Sequence, residues 1–358
     1  MSAYATAAVD GDQGARRTFA NEADNHLVWD RRQAGHYEVY YLTCNHLESR
    51  TGYWIRYTLE SPLSGHGAPY AQLWFGFFDA RDPQKNFALN KRFPIDRLHT
   101  ERSPFALHIG DAVLGHDRMR GALEGDGHAA RWELTWLPAA TTHRHLPDLV
   151  YRTSFADTTV LSPSLDAPVR GSITVDGRSF ALDGDPGGQT HLWGRKHAHA
   201  WAWAHCNAFE GRRGAALEAL CVRLKRRGVV LPPLTLVSLY LDGEAHRLTR
   251  FEHTLVNRGS FGTARFQFVA RGADVRVSGE YACRPEDMVL TEYADPDGEP
   301  SFCANTEVAD LRVTVERRSR LWRRWQEQAR LVAPQCGHFE VAGREPDPAI
   351  RRRHVTVA

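Results

Sequence analysis

One segment, residues 189–209, concentrates side chains that can hold and orient a small molecule. From Trp201 onward, large and small residues alternate strictly, which is typical of a β-strand with two unlike faces. Only Ala and Cys occupy the small face, so we expect another layer to pack closely against it. The other face carries Trp201, Trp203, His205, Asn207 and Phe209.

The large face of this strand predicts the lining of a ligand cavity. Two indoles would give the cavity its shape, and an imidazole and a carboxamide would orient the ligand. The alternative is a packed barrel interior in which His205 and Asn207 only satisfy buried backbone groups. We favour the cavity, because two adjacent polar side chains on an aromatic face are costly unless they have partners.

Neither the histidines nor the cysteines form a convincing metal site. His197 and His199 form a His-x-His pair, but no acidic or thiol ligand follows at a suitable spacing. The 6 cysteines contain no C-x-x-C pair, which disfavours a zinc ribbon or a redox dithiol. We therefore predict no metal and no cofactor.

Short β-type runs, separated by Asp, Gly and Pro turns, recur along the chain and would hold this segment in place. In the first half these runs cover residues 37–43, 52–59, 70–78 and 130–136. In the second half, Asp176-Gly177 and Asp242-Gly243 each lie between two such runs and predict β-hairpins. The pattern predicts an all-β fold with two antiparallel β-barrels of similar length.

We place the domain boundary at the Pro-containing stretch 162–168, which gives barrels at residues 20–165 and 166–345. One long helical periodicity, Val315–Val332, predicts a short C-terminal helix with a basic face. Such a helix would lie on a membrane surface or cap a barrel. We favour the cap, because Glu316 and Glu327 moderate its charge.

The charge balance of the chain and the motifs that it lacks exclude several classes of function. With 45 Lys and Arg against 43 Asp and Glu, the chain offers no broad positive field for nucleic acid. Nucleophile-elbow, Walker, dinucleotide-binding and His-Glu-x-x-His motifs are absent from the sequence. Residues 1–14 contain no signal-peptide pattern, and no apolar run reaches membrane-spanning length, so we expect a cytoplasmic protein with reduced thiols.

Segment 189–209 resembles a block of a known enzyme family. His191-Leu-Trp-Gly-Arg195 and Trp201-Ala-Trp-Ala-His-Cys-Asn-Ala-Phe209 are similar to the Trp-Gly…Trp-x-Trp-x-x-Cys-Asn-x-Phe block of tocopherol cyclases. The first part also resembles the His-x-Trp-Gly block of carotenoid 1,2-hydratases. The resemblance implies two lipocalin-like antiparallel β-barrels in tandem and an isoprenoid or polyene substrate.

Activities of this kind protonate a carbon–carbon double bond, which requires an acid in a dry pocket and aromatic faces around the carbocation. His191 is a candidate to orient or deliver the proton, and Trp193 would face the substrate or close a barrel end. Glu218 shares a face with apolar residues, so it is either a perturbed acid or one half of an ion pair. Tyr240 and Asp242 resemble a Tyr-x-Asp pair of the hydratases, which implies a proton-transfer role for Asp242 and a place for Tyr240 in the pocket. The gap from His191 to Tyr240 is longer than in the hydratases, and the hairpin turn explains Asp242 without catalysis.

Two hypotheses follow for the function. The first is a cofactor-independent cyclase or hydratase, in which His191 and a carboxylate supply acid–base chemistry. The second is a non-catalytic carrier of an apolar small molecule. A buried, unpaired carboxyl beside the cavity would favour the enzyme.

Overall fold

The computed structural model describes residues 19–151, 153, 156–319 and 324–357, without the side chain of Asp148. The strands of the first part are β1 (His36–His46), β2 (Thr51–Ser61), β3 (Tyr70–Asp79), β4 (Phe87–Pro94), β5 (Leu98–Arg102), β6 (Phe105–Ile109), β7 (Ala112–Gly115), β8 (Arg118–Gly125), β9 (His128–Trp136), β10 (His143–Arg144), β11 (Thr158–Ser164), β12 (Val169–Val175), β13 (Arg178–Asp185) and β14 (Gly187–Gly194). Those of the second part are β15 (Ala200–Cys206), β16 (Ala216–Arg223), β17 (Lys225–Arg226), β18 (Val229–Val230), β19 (Leu234–Leu241), β20 (Glu244–Leu248), β21 (Arg258–Gly262), β22 (Arg265–Arg271), β23 (Val275–Ala282), β24 (Val289–Ala294), β25 (Pro300–Arg318), β26 (Trp325–Gly343) and β27 (His354–Val357).

Helices are few and short in the described part of the chain. The α-helices are α1 (Asp148–Tyr151) and α2 (Phe251–Val256), and 3-10 helices cover Glu22–Asn25, Pro83–Lys85, Ile95–Arg97 and Pro285–Asp287. None of the helices in the described ranges is long and apolar enough to cross a membrane.

The first lobe consists of two sheets that enclose one core. The first sheet has the order β10-β11-β14-β1-β2-β3-β4-β27, and the second has the order β13-β12-β9-β8-β7-β6-β5. Along their strands, residues that face the core alternate with residues that face solvent. In β9, for example, Trp132 and Leu134 are buried and Arg131 and Glu133 are exposed. This alternation is the reason that the run folds as a half-buried strand.

The second lobe is built on a 10-stranded sheet that curls around its own core, and β17 and β18 pair separately as a two-stranded sheet. The larger sheet has the order β20-β19-β16-β15-β26-β25-β23-β22-β21, with β24 paired to β25. Strands near both ends contribute to one hydrophobic cluster, for example Leu239 of β19 and Phe266 of β22. The sheet must therefore bend until its two ends approach each other.

The predicted all-β, antiparallel fold is confirmed, and both predicted Asp-Gly hairpins are present as β12–β13 and β19–β20. The sheets remain open, however, and do not close into barrels within the described residues. One pairing, between β27 and β4, is parallel. The domain boundary near residue 165 stays a prediction, and by strand pairing β12, β13 and β14 lie with the first lobe.

The predicted C-terminal helix Val315–Val332 is wrong in its described parts. Residues 315–318 end β25 and residues 325–332 begin β26, and the two strands pair along their length. Val313, Val315, Ala329 and Leu331 are buried at alternate positions in the second core. Period-two burial and cross-strand pairing therefore override the helical spacing. The membrane contact that we attached to this helix stays a prediction.

The two lobes pack through the outer faces of their largest sheets. A separate hydrophobic cluster joins them, with members from β1, β2 and β3 on one side and from β15, β24, β25 and β26 on the other. Trp54 and Trp74 of the first lobe meet Trp201, Trp203 and Tyr293 of the second in this cluster. The aromatic face predicted from the sequence thus lies between the lobes.

Candidate active site

Strand β15 presents the two unlike faces that its alternation predicts. Ala202, Ala204 and Cys206 are fully buried in the core of the second lobe. Trp201 and Trp203 project from the opposite face toward the first lobe. The alternation is thus present within the strand, although His205 faces Glu218 and does not line the cavity.

The alternation does not extend beyond Cys206, where the strand ends. Phe209 therefore packs into the core of the second lobe and leaves the predicted aromatic face. Asn207 donates hydrogen bonds to Asp166 Oδ1 (2.7 Å) and to the Gly187 carbonyl (2.9 Å). Asn207 therefore fixes the end of the strand through hydrogen bonds, and neither Asn207 nor Phe209 lines the cavity.

A cavity of about 730 Å³ lies between the lobes, against this aromatic face. Its wall is mostly apolar, with a small number of charged groups, as in sites for small apolar ligands. Residues that line it include Tyr41, Trp54, Arg56 and Leu192 from the first lobe and Trp201, Trp203, Leu220, Val222, Tyr293, Glu299, Glu340 and Arg344 from the second.

Glu340 places a carboxyl group on the cavity wall between the two indoles of β15. It lies in β26, directly opposite Trp203 in the strand pairing. Trp201 Nε1 donates a hydrogen bond to Glu340 Oε1 (2.7 Å), and Cys303 Sγ lies 3.6 Å from Oε2. Burial raises the pKa of the Glu340 carboxyl above its ordinary value, against the opposing influence of Trp201 and Arg56.

The sequence reasoning missed Glu340. Its strand was assigned in part to a helix, and a single Glu near the end of the chain has no motif around it. The available signal was the period-two pattern of residues 337–341, which places His338 and Glu340 on one face and Phe339 on the other. The structure follows this pattern, because Phe339 is buried in the second core.

Glu218 is buried, as its neighbours predicted, but its partners are histidines and an indole. His205 Nδ1 lies 3.0 Å from Oε2, His145 Nδ1 lies 3.2 Å from Oε1, and Trp203 Nε1 donates a hydrogen bond to Oε1. Burial alone would raise the pKa of this carboxyl, but the charges and hydrogen bonds of His145 and His205 hold it well below its ordinary value. Glu218 is thus suited to fix the Trp203 ring and not to donate a proton.

His191 lies on the opposite side of the first sheet, inside the first lobe. Its Nδ1 lies 2.7 Å from the Asp24 carbonyl and its Nε2 lies 2.9 Å from Glu38 Oε1. Its ring stacks on Tyr40 at 4.1 Å, and Trp193 lies beside it at 4.8 Å. Because adjacent strand residues point to opposite faces, Leu192 lines the cavity and His191 and Trp193 do not.

Tyr240 and Asp242 are separated by the structure. The Tyr240 hydroxyl lies 2.8 Å from His143 Nδ1, and the His143 ring packs against His145, so Tyr240 extends the network around Glu218. Asp242 lies exposed at its hairpin turn with a φ of 51°, and Arg212 Nη1 lies 3.4 Å from its carboxylate. Asp242 is outside the cavity.

One cluster of carboxylates has the spacing of a metal site. Ligand atoms of Asp295, Asp297 and Glu299 lie within 4.8 Å of one another. Lys196 and Arg344 already neutralise it, with Lys196 Nζ 2.6 Å from Asp297 and Arg344 Nη1 2.7 Å from Asp295. We therefore read this cluster as an ion-pair network at the cavity mouth.

Comparison with known proteins shows the family to which the chain belongs. The profile of the tocopherol cyclase-like family matches residues 162–343, and the chain belongs to this family. An uncharacterized protein of Mycobacterium tuberculosis H37Rv is 26% identical over 289 residues, which cover 80% of this chain and 83% of the relative. The corresponding protein of strain CDC 1551 matches equally.

A solved structure has the same overall architecture. The crystal structure of an AttH-type protein from Nitrosomonas europaea aligns with a TM-score of 0.56 and 12% identity, over 93% of this chain and 98% of that chain. At this identity the likeness shows the fold alone.

Proposed function

We propose that this protein is a cofactor-independent cyclase or hydratase that protonates a double bond of an isoprenoid or polyene in the cavity between the lobes. The observation that carries the proposal is Glu340, a buried carboxyl with a raised pKa that lies between aromatic side chains on the cavity wall. A carboxylic acid in such a setting keeps its proton until a substrate group accepts it. Family membership supports a cyclase or hydratase activity.

The aromatic side chains around Glu340 suit the cation that protonation would create. Trp201, Trp203 and Trp54 line the cavity together with Tyr41 and Tyr293. The face of an aromatic ring stabilises a desolvated cation by roughly 2 kcal/mol. Several rings around one carboxyl therefore lower the barrier to forming a carbocation at that place.

Glu218 would act as a positioning residue in this mechanism. It accepts the hydrogen bond of Trp203, whereas Glu340 accepts that of Trp201, so each indole is held by a different carboxyl. The remaining oxygen of Glu218 faces His205. Its interactions hold the Trp203 ring against the cavity and leave Glu340 as the proton donor.

The alternative is a carrier that binds the same molecule without changing it. A carrier gains nothing from a buried carboxyl with a raised pKa, since the group must be desolvated at a cost. Mass spectrometry of small molecules that co-purify with the protein would identify candidate substrates. Each recovered molecule is then incubated with purified protein, and its conversion is followed.

The test uses two variants of carboxyls on the same cavity wall. We expect Glu340→Gln, which keeps the shape and the acceptor for Trp201, to lower the rate of conversion by at least about a hundredfold. Glu299→Gln is the matched control, because Glu299 is paired with Lys196 at the mouth and should convert at the wild-type rate. Recovery of a ligand that wild-type protein leaves unchanged would support the carrier instead.

A further inference from the structure

Arg56 is a buried arginine whose side chain forms no hydrogen bond or ion pair with another described residue. It lies in β2 with only 7% of its surface exposed, and its Nε reaches no hydrogen-bond acceptor. Its guanidinium carbon lies 4.8 Å from the Trp54 ring centre and 4.5 Å from that of Tyr293. These rings are the contacts that hold the charge in place.

Ring contacts do not compensate fully for the burial of this charge. A cation–π contact contributes about 0.5 to 2 kcal/mol, whereas the effective cost of burying an ion is several kcal/mol. The guanidinium also has five N–H donors in a planar fork that matches a carboxylate. The arrangement is therefore that of a site whose acceptor lies outside the described residues, as a bound ligand would.

The position of Arg56 determines where that acceptor would lie. Arg56 lines both the 730 Å³ cavity and a second cavity of about 240 Å³ on the side of the first lobe. The second cavity is more polar, with Gln72, Asn90 and His354 in its wall. Arg56 thus lies at the junction between the mostly apolar cavity and the more polar one.

Acidic groups near this junction are either engaged or separated from Arg56. Glu60 accepts a hydrogen bond from the Tyr70 hydroxyl (2.6 Å), and Glu292 pairs with Arg352 at 2.6 Å. Glu340 shares the cavity wall with Arg56, and the Arg56 charge lowers its pKa, but no ion pair joins the two side chains in the described structure. The N–H donors of the guanidinium can therefore meet an anionic group of a ligand.

We propose that Arg56 binds the carboxylate of an amphipathic substrate, an unsaturated isoprenoid or polyene acid whose apolar chain lies along Trp201 and Trp203. This inference rests on the proposed function, since it names the substrate class of the same cavity. Binding of the head group by Arg56 would fix the chain relative to Glu340 and select which double bond receives the proton.

The experiment compares two probes that share a polyene chain and differ in the head group, all-trans-retinoic acid and all-trans-retinol. Affinities are measured by quenching of tryptophan fluorescence, since Trp201 and Trp203 line the cavity. We expect wild-type protein to bind the acid more tightly than the alcohol. Arg56→Met should weaken binding of the acid by about thirtyfold or more and leave binding of retinol within about twofold.

Arg226→Met is the matched control. Arg226 lines the same cavity but already pairs with Asp157 at 2.7 Å, so its removal should change neither affinity more than about twofold. Thermal unfolding checks the fold of each variant. If Arg56→Met does not fold, Arg56→Lys replaces it, and we expect a loss of several-fold for the acid alone, because the planar fork is absent.

The outcomes separate this inference from the proposed function. Equal affinity of wild type for acid and alcohol, or an equal loss of both in Arg56→Met, would overturn the assignment of Arg56 and leave the role of Glu340 intact. Failure of wild type to bind either probe would count against the apolar pocket itself, and so against both proposals.

Discussion

Two buried carboxyls on the cavity side of the second lobe have pKa values shifted in opposite directions. Glu218 is held ionised by His145 and His205, whereas burial outweighs the Trp201 indole and the Arg56 charge at Glu340, which keeps its proton more readily. The same burial acts on both groups, so the partners decide the direction. This difference is the reason that we propose Glu340 as the acid and Glu218 as the positioning residue.

His191 provides a residue-scale prediction, because its environment is structural. It contacts Glu38, a fully buried carboxylate whose pKa is lowered to about 2, mainly by hydrogen bonds from His191 and His36 that outweigh burial. His191→Ala would leave this charge with one donor fewer, so we expect the free energy of unfolding to fall by about 3 kcal/mol. Urea denaturation measures the loss, and His99→Ala at an exposed position is the control.

Conversion by the folded fraction of His191→Ala should match that of wild type. A variant that is as stable as wild type but inactive would restore His191 as a proton-transfer residue and contradict this reading.

Individual residues were predictable from sequence only where the strand pattern was local. Trp201 and Trp203 follow from strict alternation in one strand. Arg56 and Glu340 were missed, because they face this strand only after distant strands have packed against it. His191 was misplaced for a related reason, since a motif gives no information on which face of a sheet a side chain occupies.

At the scale of elements, the hairpin of β19 and β20 explains Asp242 without catalysis. Asp242 has a positive φ at the turn, a conformation that Asn and Asp tolerate and β-branched residues do not. Asp242→Asn should therefore leave the rate of conversion unchanged and alter the free energy of unfolding by no more than about 0.5 kcal/mol. Asp242→Val should destabilise the protein by about 1 to 2 kcal/mol without altering conversion by folded molecules.

Thermal and urea unfolding of both variants, together with conversion assays, would check this prediction. Loss of conversion in Asp242→Asn at unchanged stability would make the carboxylate itself necessary and contradict the structural role.

Sequence patterns predicted most strands and both Asp-Gly hairpins, because these signals depend on neighbours in the chain. The patterns gave the wrong structure for β25 and β26, because arginines at helical spacing suggested a helix although alternate residues of both strands are buried. The long cross-strand pairing of these two elements is a property of the folded sheet. The paired partner, and not the local propensity, decides their structure.

At the scale of the whole molecule, the cavity exists because two sheet faces pack against each other, and Gly52 lies at a point where they are in close contact. A Cβ atom at Gly52 would lie 2.4 Å from Glu307 Cβ and 2.7 Å from its carbonyl oxygen. Gly52→Ala must therefore push the lobes apart locally. We expect the free energy of unfolding to fall by about 1 to 3 kcal/mol.

Gly343→Ala is the matched control, since a Cβ atom there would meet no atom within 4 Å. Urea denaturation of the two variants measures the difference. Equal stability of both variants would contradict the lobe packing described above.

The packing of the lobes could not be predicted from the sequence. The alternation in β15 predicts an aromatic face, but the wall opposite this face comes from the first lobe. Strands β1 and β2 are more than a hundred residues away in the sequence, and β14 is adjacent in the sequence but pairs within the other lobe. The sequence alone did not decide whether a ligand would lie in one barrel or between the lobes. In the structure, the outer faces of two open sheets enclose the cavity.

The central claim is that Glu340 delivers a proton to carbon, and incubation in D₂O tests it most directly. A substrate recovered from the protein is converted in D₂O by wild type and by Glu340→Gln, and the product is examined by mass spectrometry and NMR. We predict a product with carbon-bound deuterium from wild type and almost no product from the variant. Product without carbon-bound deuterium, or equal labelling by Glu340→Gln, would contradict the account.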